Sequence, residues 1–206
     1  MINTNPRGVD LSHFNVDPDF HTMSASGIEF VYLKASQGIA FADTTFSDRR
    51  ERARSVSLRV GSYHFFDPKS SGEAQAEHFI KTIGALAPGE LPPALDLESA
   101  DGWEHLSGTS RVREVAACLS TVESALGVHP MIYTSMGWWL GEFGNADFSG
   151  HPLWLARYAD SPGTTGLWKS WSAWQYGQFG SVPGVGNGNV DTDCWNGPLP
   201  MVRGAS

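Results

Sequence analysis

Short apolar segments alternate with longer helix-like segments over the first two thirds of the chain, and this alternation constrains the fold more than any other feature. Hydrophobic periodicity predicts strands at 8–11, 30–35, 59–66, 94–98 and 131–134. It predicts helices at 17–26, 45–57, 71–83 and 110–126. Because a strand, a crossover helix and a second strand form a parallel pair, this order predicts an α/β fold.

The pattern changes after residue 134. Three more strand-like segments, 153–157, 172–176 and 189–193, are separated by segments rich in Gly, Pro, Ser and Trp, which make poor helices. Since eight strands can close on themselves, we predict a flattened TIM-like barrel in which five βα units are followed by three strands. An open, doubly wound sheet is the alternative, but it would normally need helices over its last strands.

Length and composition are typical of one globular domain. The chain has 206 residues, of which 41% are hydrophobic and 17% charged, so we expect a single catalytic domain over 1–206. The net charge of -8 argues against nucleic acid as a partner. No apolar segment approaches the roughly 20 residues that span a bilayer, and the N-terminus has no apolar signal-peptide core. Cys118 and Cys194 have no metal-binding spacing, and we expect free thiols.

Acidic residues recur at the predicted C-terminal ends of strands, where parallel barrels place functional groups. Asp96 and Glu98 are two residues apart on one strand, so their side chains should share a face. Closure of the barrel would make the first and last strands neighbours, which would bring Asp10 near Asp191. Crowded carboxylates raise the pKa of at least one member, and that member can then donate a proton near neutral pH.

These acids also have simpler interpretations. A single Asp in a strand is most often a cap or a solvated edge residue, and a D-x-E pattern arises by chance in many proteins. The apolar Ala94, Leu95 and Leu97 indicate partial burial, however, and buried carboxylates without a partner are rare. A divalent cation would suit clustered carboxylates, but no dense D-x-D-x-D-G loop accompanies them. We therefore expect no metal and no cofactor.

Aromatic residues accompany the acids at predicted strand ends. Tyr63 and Tyr133 lie near the ends of two strands, and Trp174 and Gln175 lie on a third. Flat apolar rings beside carboxylates suit a sugar-binding cleft, because they stack on the C–H faces of pyranose rings. Any single ring is more often part of the core, so only the grouping with the acids favours a glycan site.

Eight short segments, in the correct order along nearly the whole chain, resemble the glycoside hydrolase family 25 lysozymes, the Chalaropsis-type N-acetylmuramidases that include many phage endolysins. The segments are GVDLSHFN (8–15), FVYLKASQG (30–38), GSYHFF (61–66), PALDLES (93–99), MIYTS (131–135), PLWLARY (152–158), WSAWQYG (171–177) and GNVDTDCWNG (188–197). The family fold is a flattened barrel of five βα units and three further strands, in agreement with the independent prediction.

The resemblance implies cleavage of the β-1,4 bond between N-acetylmuramic acid and N-acetylglucosamine in bacterial peptidoglycan, with retention at the anomeric carbon. By motif position, Glu98 matches the general acid/base and Asp96 its partner carboxylate. The last strand of the family commonly reads V-D-x-N; here Asp193 stands in place of Asn, and we assign the cleft acid to Asp191. The other residues that match the cleft are Asp10 among the acids and Tyr63, Tyr133, Arg157, Trp174 and Gln175 among the substrate-binding positions.

Two other functions remain open at this point. A chitinase-like hexosaminidase would also carry acids at the fourth strand, but the upstream acids of its D-x-x-D-x-D-x-E motif are missing before Asp96. An inactive, glycan-binding barrel is the alternative from outside the enzymes. For the lysozyme, we expect a monomer that acts on the bacterial cell wall, with targeting by its cleft or by a delivery partner.

Overall fold

A computed structural model of the chain describes residues 5–98, 100–186, 189–200 and 202. The strands are β1 (Arg7–Leu11), β2 (Phe30–Gln37), β3 (Phe41–Ala42), β4 (Arg59–Phe65), β5 (Ala94–Asp96), β6 (Met131–Thr134), β7 (Leu153–Ala156), β8 (Ala173–Gly180) and β9 (Val190–Trp195). The α-helices are α1 (Phe20–Ala25), α2 (Phe46–Ser55), α3 (Gly72–Ile83), α4 (Gly108–Leu126) and α5 (Met136–Phe143), and a short 3₁₀ helix covers Trp103–His105. No helix in these ranges is both long and apolar enough to cross a bilayer.

The sheet closes into a barrel. Strand β1 pairs in parallel with β2 on one side and antiparallel with β9 on the other, and the remaining pairs run in order from β9 through β4 to β2. Eight strands therefore form the closed barrel, while the two-residue β3 only extends β2 at its end. The predicted barrel of five βα units followed by three strands is confirmed, and the open-sheet alternative is wrong.

A strand and an α-helix lie outside the predicted ranges, as does the short 3₁₀ helix. Strand β3 is only two residues long, too short to leave a periodic pattern. Helix α5 completes the fifth βα unit after β6, and its N-cap is Ser135, whose hydroxyl accepts a hydrogen bond from the backbone N–H of Trp138. The eight-residue helix contains Gly137 and Gly141, and glycine weakens the helical signal of a sequence.

Large side chains fill the inside of the barrel beneath its C-terminal face. The buried cluster there consists of Phe30, Tyr32, Tyr63, Leu91, Ala94, Met131, Tyr133, Trp154, Ala173 and Trp195. Glycines make room for two of these rings: a Cβ at Gly8 would lie 2.3 Å from the Phe30 ring, and one at Gly61 would lie 2.2 Å from the Tyr32 ring. The glycines of the GVDLS and GSYHFF segments are therefore packing positions in the barrel core.

A second apolar layer lies between the strands and the surrounding helices. Outward-facing residues such as Val9, Leu95 and Ile132 pack there against buried residues of the helices. Helices α3 and α4 approach each other closely, because Gly72 leaves no side chain between its backbone and the carbonyl oxygen of Glu114. This alternation of inward and outward positions decides which residues can reach the cleft.

Candidate active site

The predicted acids lie together at the C-terminal face of the barrel. Asp10 is paired in register with Asp191 across the β1–β9 ladder. Asp96 is the last residue of β5, and Glu98 follows two positions later, so both point to the barrel interior. One cleft contains all four carboxyl groups, and it is lined by Asp10, Tyr63, Asp96, Glu98, Tyr133, Trp154, Tyr158, Gln175, Gln178 and Asp191.

Asp96 and Glu98 differ in their access to solvent. Asp96 is buried, and its Oδ1 has no hydrogen-bond donor among the described residues. Burial and the nearby Glu98 raise the pKa of Asp96 well above its usual value. Glu98 reaches solvent, but the cleft walls exclude enough water from its carboxyl group to raise its pKa as well. Two adjacent carboxyl groups with raised pKa values can retain a proton near neutrality.

Lys34 on β2 limits the rise in the pKa values of Asp96 and Glu98. Its ammonium group lies where it lowers the pKa of both Asp96 and Glu98, and it donates a hydrogen bond of 2.9 Å to Oε1 of Gln37. The side chain is buried and also lies over the ring of Phe65, 4.8 Å from its centroid. The carboxyl cluster therefore already contains one cation, which is a poor environment for a second, divalent one.

Asp10 belongs to a second carboxyl pair, with Asp193. Asp193 is fully buried, and its Oδ1 accepts a hydrogen bond of 2.8 Å from the indole N–H of Trp154. Burial raises the pKa of Asp193 to about 8, against the opposing effect of the Trp154 hydrogen bond. Burial, then Asp193 and Asp191, raise the pKa of Asp10 well above its usual value. The pair can therefore hold one proton and one negative charge.

Asp191 is the more accessible acid of β9. It is half-buried and lines the cleft, whereas Asp193 lies one inward position deeper in the barrel. Burial and the charge of Glu98 raise the pKa of Asp191 to about 6. The structure thus brings Asp191 into the cleft, as predicted, and places Asp193 beneath it.

Gln175 connects the aromatic wall to the acids. Its Oε1 accepts hydrogen bonds from the hydroxyl groups of Tyr133, at 2.8 Å, and Tyr158, at 2.9 Å. Its Nε2 donates to Oδ2 of Asp10 at 2.7 Å. Since two hydroxyl donors meet one end of the amide and a carboxylate meets the other, the orientation of the amide is determined, and it holds Asp10 in place.

Tyr63, Tyr133 and Gln175 line the cleft as predicted, but Trp174 and Arg157 are not among its lining residues. Trp174 precedes Gln175 on β8 and therefore points to the opposite face, where its indole N–H donates to the carbonyl oxygen of Arg157. Arg157 is exposed just beyond β7, with its guanidinium group beside Gly163. The structure thus places both side chains outside the cleft lining, and their assignment to substrate binding stays a prediction.

Several residues around the cleft were not predicted as site residues. Trp154, Tyr158 and Gln178 line it, and Lys34 and Asp193 act on its acids from inside the barrel. The period of two along β7 and β9 could have indicated Trp154 and Asp193, since both share the inward face. Nothing in the sequence distinguishes Lys34 from a solvated strand residue.

Comparisons with known proteins identify the family of the chain. The family model of the glycosyl hydrolases family 25 matches residues 9–185. An N,O-diacetylmuramidase of Arthroderma benhamiae is 34% identical over 165 residues, which cover 77% of this chain and 70% of that protein. An N,O-diacetylmuramidase of Chalaropsis sp is 34% identical over 172 residues, which cover 77% of this chain and 81% of that protein.

The fold is also that of a solved lysozyme. The crystal structure of the bacterial lysozyme from Streptomyces coelicolor aligns with a TM-score of 0.87 at 29% identity, over 94% of this chain and 93% of that one. Family match, sequence relatives and fold all agree with the resemblance of the eight segments. The chain therefore belongs to the glycosyl hydrolases of family 25 and is a glycoside hydrolase of the lysozyme class.

Proposed function

We propose that this lysozyme is a 1,4-β-N-acetylmuramidase that hydrolyses the bond between N-acetylmuramic acid and N-acetylglucosamine in bacterial peptidoglycan, with retention and with Glu98 as general acid/base. One observation carries the proposal: a carboxyl group that reaches the cleft, Glu98, has a raised pKa beside the buried Asp96. The names of the relatives, which are muramidases, support the choice of substrate.

The proton retained by Asp96 and Glu98 is the one that catalysis uses. In the empty cleft, deeper burial favours the proton on Asp96. When an N-acetyl sugar binds, an amide N–H that donates to Asp96 stabilises the ionised form of that residue. The proton is then held by Glu98, which faces the glycosidic oxygen and protonates it as the bond breaks. General acid catalysis of this kind contributes on the order of 10²–10⁴-fold to the rate.

The remaining acids stabilise the transition state. The sugar that loses its leaving group develops oxocarbenium character, and negative charges fixed nearby lower the energy of that state. Asp191 is ionised above about pH 6, and the Asp10–Asp193 pair carries one negative charge. Gln175 holds Asp10 in position through its Nε2, and its own amide is fixed by Tyr133 and Tyr158.

Retention can follow either of two routes. Asp96 can attack the anomeric carbon directly, or it can orient the 2-acetamido oxygen of the substrate for the attack. We favour acetamido participation, because Asp96 is buried at the cleft floor with an oxygen that lacks a donor and would accept the amide N–H. A thiazoline analogue of the cyclic intermediate should then inhibit strongly, whereas direct attack predicts weak inhibition.

The biological setting follows from the substrate. A muramidase acts on the bacterial cell wall, and we propose that this chain does so as a monomer, guided by the cleft or by a delivery partner. No nucleic acid is expected among its partners, since the chain carries a net charge of -8.

The direct test is Glu98→Gln, assayed on purified peptidoglycan. We expect lysis to fall by at least about 10²-fold with an unchanged circular dichroism spectrum, because the amide cannot donate the acid proton. Glu77→Gln, on the exposed face of α3, is the matched control and should retain full activity. An active Glu98→Gln enzyme would refute the assignment of the acid.

Analysis of the products tests the bond and the substrate. Mass spectrometry of the released muropeptides should show N-acetylmuramic acid at the reducing ends, and proton NMR of the first product should show the β anomer. Release of soluble products from chitin at a comparable rate would favour the hexosaminidase alternative. Binding of glycan strands without any product would favour an inactive barrel.

A further inference from the structure

Three side chains with metal-binding chemistry meet at the end of the barrel opposite to the cleft. Glu123 lies in the last turn of α4, His129 precedes β6, and His151 precedes β7. One donor atom from each of the three lies within 4.8 Å of the others. The N-terminal ends of β6 and β7 and the C-terminal end of α4 thus contribute one residue each.

One of the three donor–donor distances is close to that of a tetrahedral zinc site. Oε2 of Glu123 and Nδ1 of His129 are 3.1 Å apart. Two donors bound to one zinc ion at about 2.0–2.1 Å would lie roughly 3.4 Å from each other. The donor atom of His151 lies within 4.8 Å of the other two, and His129, whose side chain is 64% exposed, can turn toward it.

A hydrogen bond to the backbone fixes the tautomer of His151. Its Nδ1 lies 3.1 Å from the carbonyl oxygen of Pro130, which can only accept, so Nδ1 carries the hydrogen and the lone pair is on Nε2. Hydrogen bonds also fix its backbone: its N–H donates to the carbonyl oxygen of Phe148, and its carbonyl oxygen accepts from the indole of Trp168. A second ring nitrogen held by a backbone carbonyl is the typical outer-shell arrangement of a histidine ligand.

We propose that Glu123, His129 and His151 bind one divalent transition-metal ion of the zinc type, with water as the fourth ligand. Two imidazoles and one carboxylate suit zinc, nickel or copper, whereas magnesium and calcium prefer sets of oxygen ligands. The other acid near these residues, Asp147, is engaged locally, because its Oδ1 accepts from the backbone N–H of Ser149.

The bound ion would join three separate elements of the barrel. It would tie the end of α4 to the two segments that enter β6 and β7. His129 and His151, in those two segments, are 22 positions apart in the sequence. Because the ion binds the folded state preferentially, it would raise the stability of the domain. It would leave the hydrolysis step unchanged, since the acids lie at the other face of the barrel.

The test is thermal unfolding of tag-free protein with zinc chloride, after removal of metals with EDTA. At a zinc concentration about 100 times Kd, we expect Tm to rise on the order of 5–10 °C, with a stoichiometry of one by isothermal titration calorimetry. Magnesium chloride should produce no shift. The cobalt(II) derivative should show the intense visible absorption of a tetrahedral site.

Variants locate the ion. His129→Gln and Glu123→Gln should each fold normally, because both side chains are partly exposed, and each should lose most of the zinc-induced shift. His105→Gln is the matched control: His105 also pairs with a glutamate, Glu104, at 3.1 Å, but no third ligand accompanies that pair among the described residues. A wild-type protein without a zinc-induced shift, or equal shifts in wild type and His129→Gln, would overturn the proposal.

Discussion

The indole N–H of Trp154 reaches across the barrel from β7 and donates to Oδ1 of Asp193 on β9 at 2.8 Å. The second oxygen of Asp193 has no donor among the described residues, and the carboxyl group of Asp10 is its neighbour. A proton held between the two acids satisfies both of them. The free energy of unfolding should therefore be higher at low pH, where the pair keeps its proton, and lower once that proton is lost.

We predict that Asp193→Asn makes the stability of the protein less dependent on pH. In the wild type, the folded-state pKa of Asp193 is raised from 3.8 to about 8. The contribution of Asp193 to the free energy of unfolding is thus fully present below pH 3.8 and is lost as the pH rises through about 8. An asparagine has the same shape, accepts from Trp154 and donates to Asp10 without any titration.

Urea unfolding at several pH values checks this prediction. Between pH 4 and pH 8, the free energy of unfolding of Asp193→Asn should rise relative to the wild type by on the order of a few kcal/mol. The comparison with Asp160→Asn, an exposed acid outside the cleft, controls for the change in net charge. Parallel stability curves for wild type and Asp193→Asn would contradict the shared proton.

Lys34 is predicted to set the pH range of the activity. The ammonium group lowers the pKa of Asp96 and of Glu98, so its removal in Lys34→Met should raise both. The acidic limb of the profile follows ionisation of Asp96, and the alkaline limb follows loss of the proton from Glu98. Both limbs of the kcat/KM profile should therefore move to higher pH.

Lys34→Arg separates this electrostatic role from a structural one. Because arginine keeps the positive charge, its profile should remain close to that of the wild type, even if the rate is lower. A Lys34→Met enzyme whose activity falls equally at every pH, with both limbs in place, would show that the side chain is needed for packing rather than for charge.

Periodicity was sufficient to predict the barrel and a shared inner face for three of its acids. The period of two along each strand and the closure of β1 onto β9 place Asp10, Asp96 and Asp191 on one inner face. The same rule excludes Trp174, because two adjacent residues of a strand cannot both face inward; its neighbour Gln175 does. Trp174 was assigned from its motif position, which does not distinguish the two faces of a strand.

Other features depend on three-dimensional neighbours that no local pattern contains. Lys34 acts on Glu98 from a different strand, and its burial is a product of the closed barrel. His129 and His151 are 22 positions apart and meet Glu123 only because two strands begin at the same edge. Such pairs could not be predicted from spacing along the chain.

A buried ion pair near the opposite end of the barrel should be important for stability and not for catalysis. Glu90 accepts hydrogen bonds from Nε and Nη2 of Arg50 at 2.7 and 2.6 Å, and both side chains are largely buried. Glu90→Ala would leave the guanidinium group without its counter-charge, with the carbonyl oxygens of Ile83 and Ala85 as its remaining acceptors. Such a loss costs about 3–5 kcal/mol in comparable buried pairs. Chemical denaturation should report this loss.

The exposed pair of Arg52 and Asp48, one helical turn apart on α2, is the matched control. Asp48→Ala should cost only about 0.3–0.5 kcal/mol, because solvent screens that pair. At a temperature where both variants are folded, each should lyse walls at the wild-type rate. A Glu90→Ala variant of wild-type stability would contradict the importance of the buried pair.

Wall binding is predicted to depend weakly on salt. The protein has a net charge of -8, so bulk attraction to an anionic cell wall cannot contribute to its affinity. Between 0.1 M and 1 M salt, the Debye length falls from about 10 Å to about 3 Å, and interactions between exposed charges are screened. Short-range contacts between a sugar and the cleft are little affected by this screening. Co-sedimentation of the inactive Glu98→Gln variant with purified walls, over this range of sodium chloride, measures the dependence without digestion. A bound fraction that falls steeply with salt would indicate a cationic wall-binding surface and would contradict recognition by the cleft.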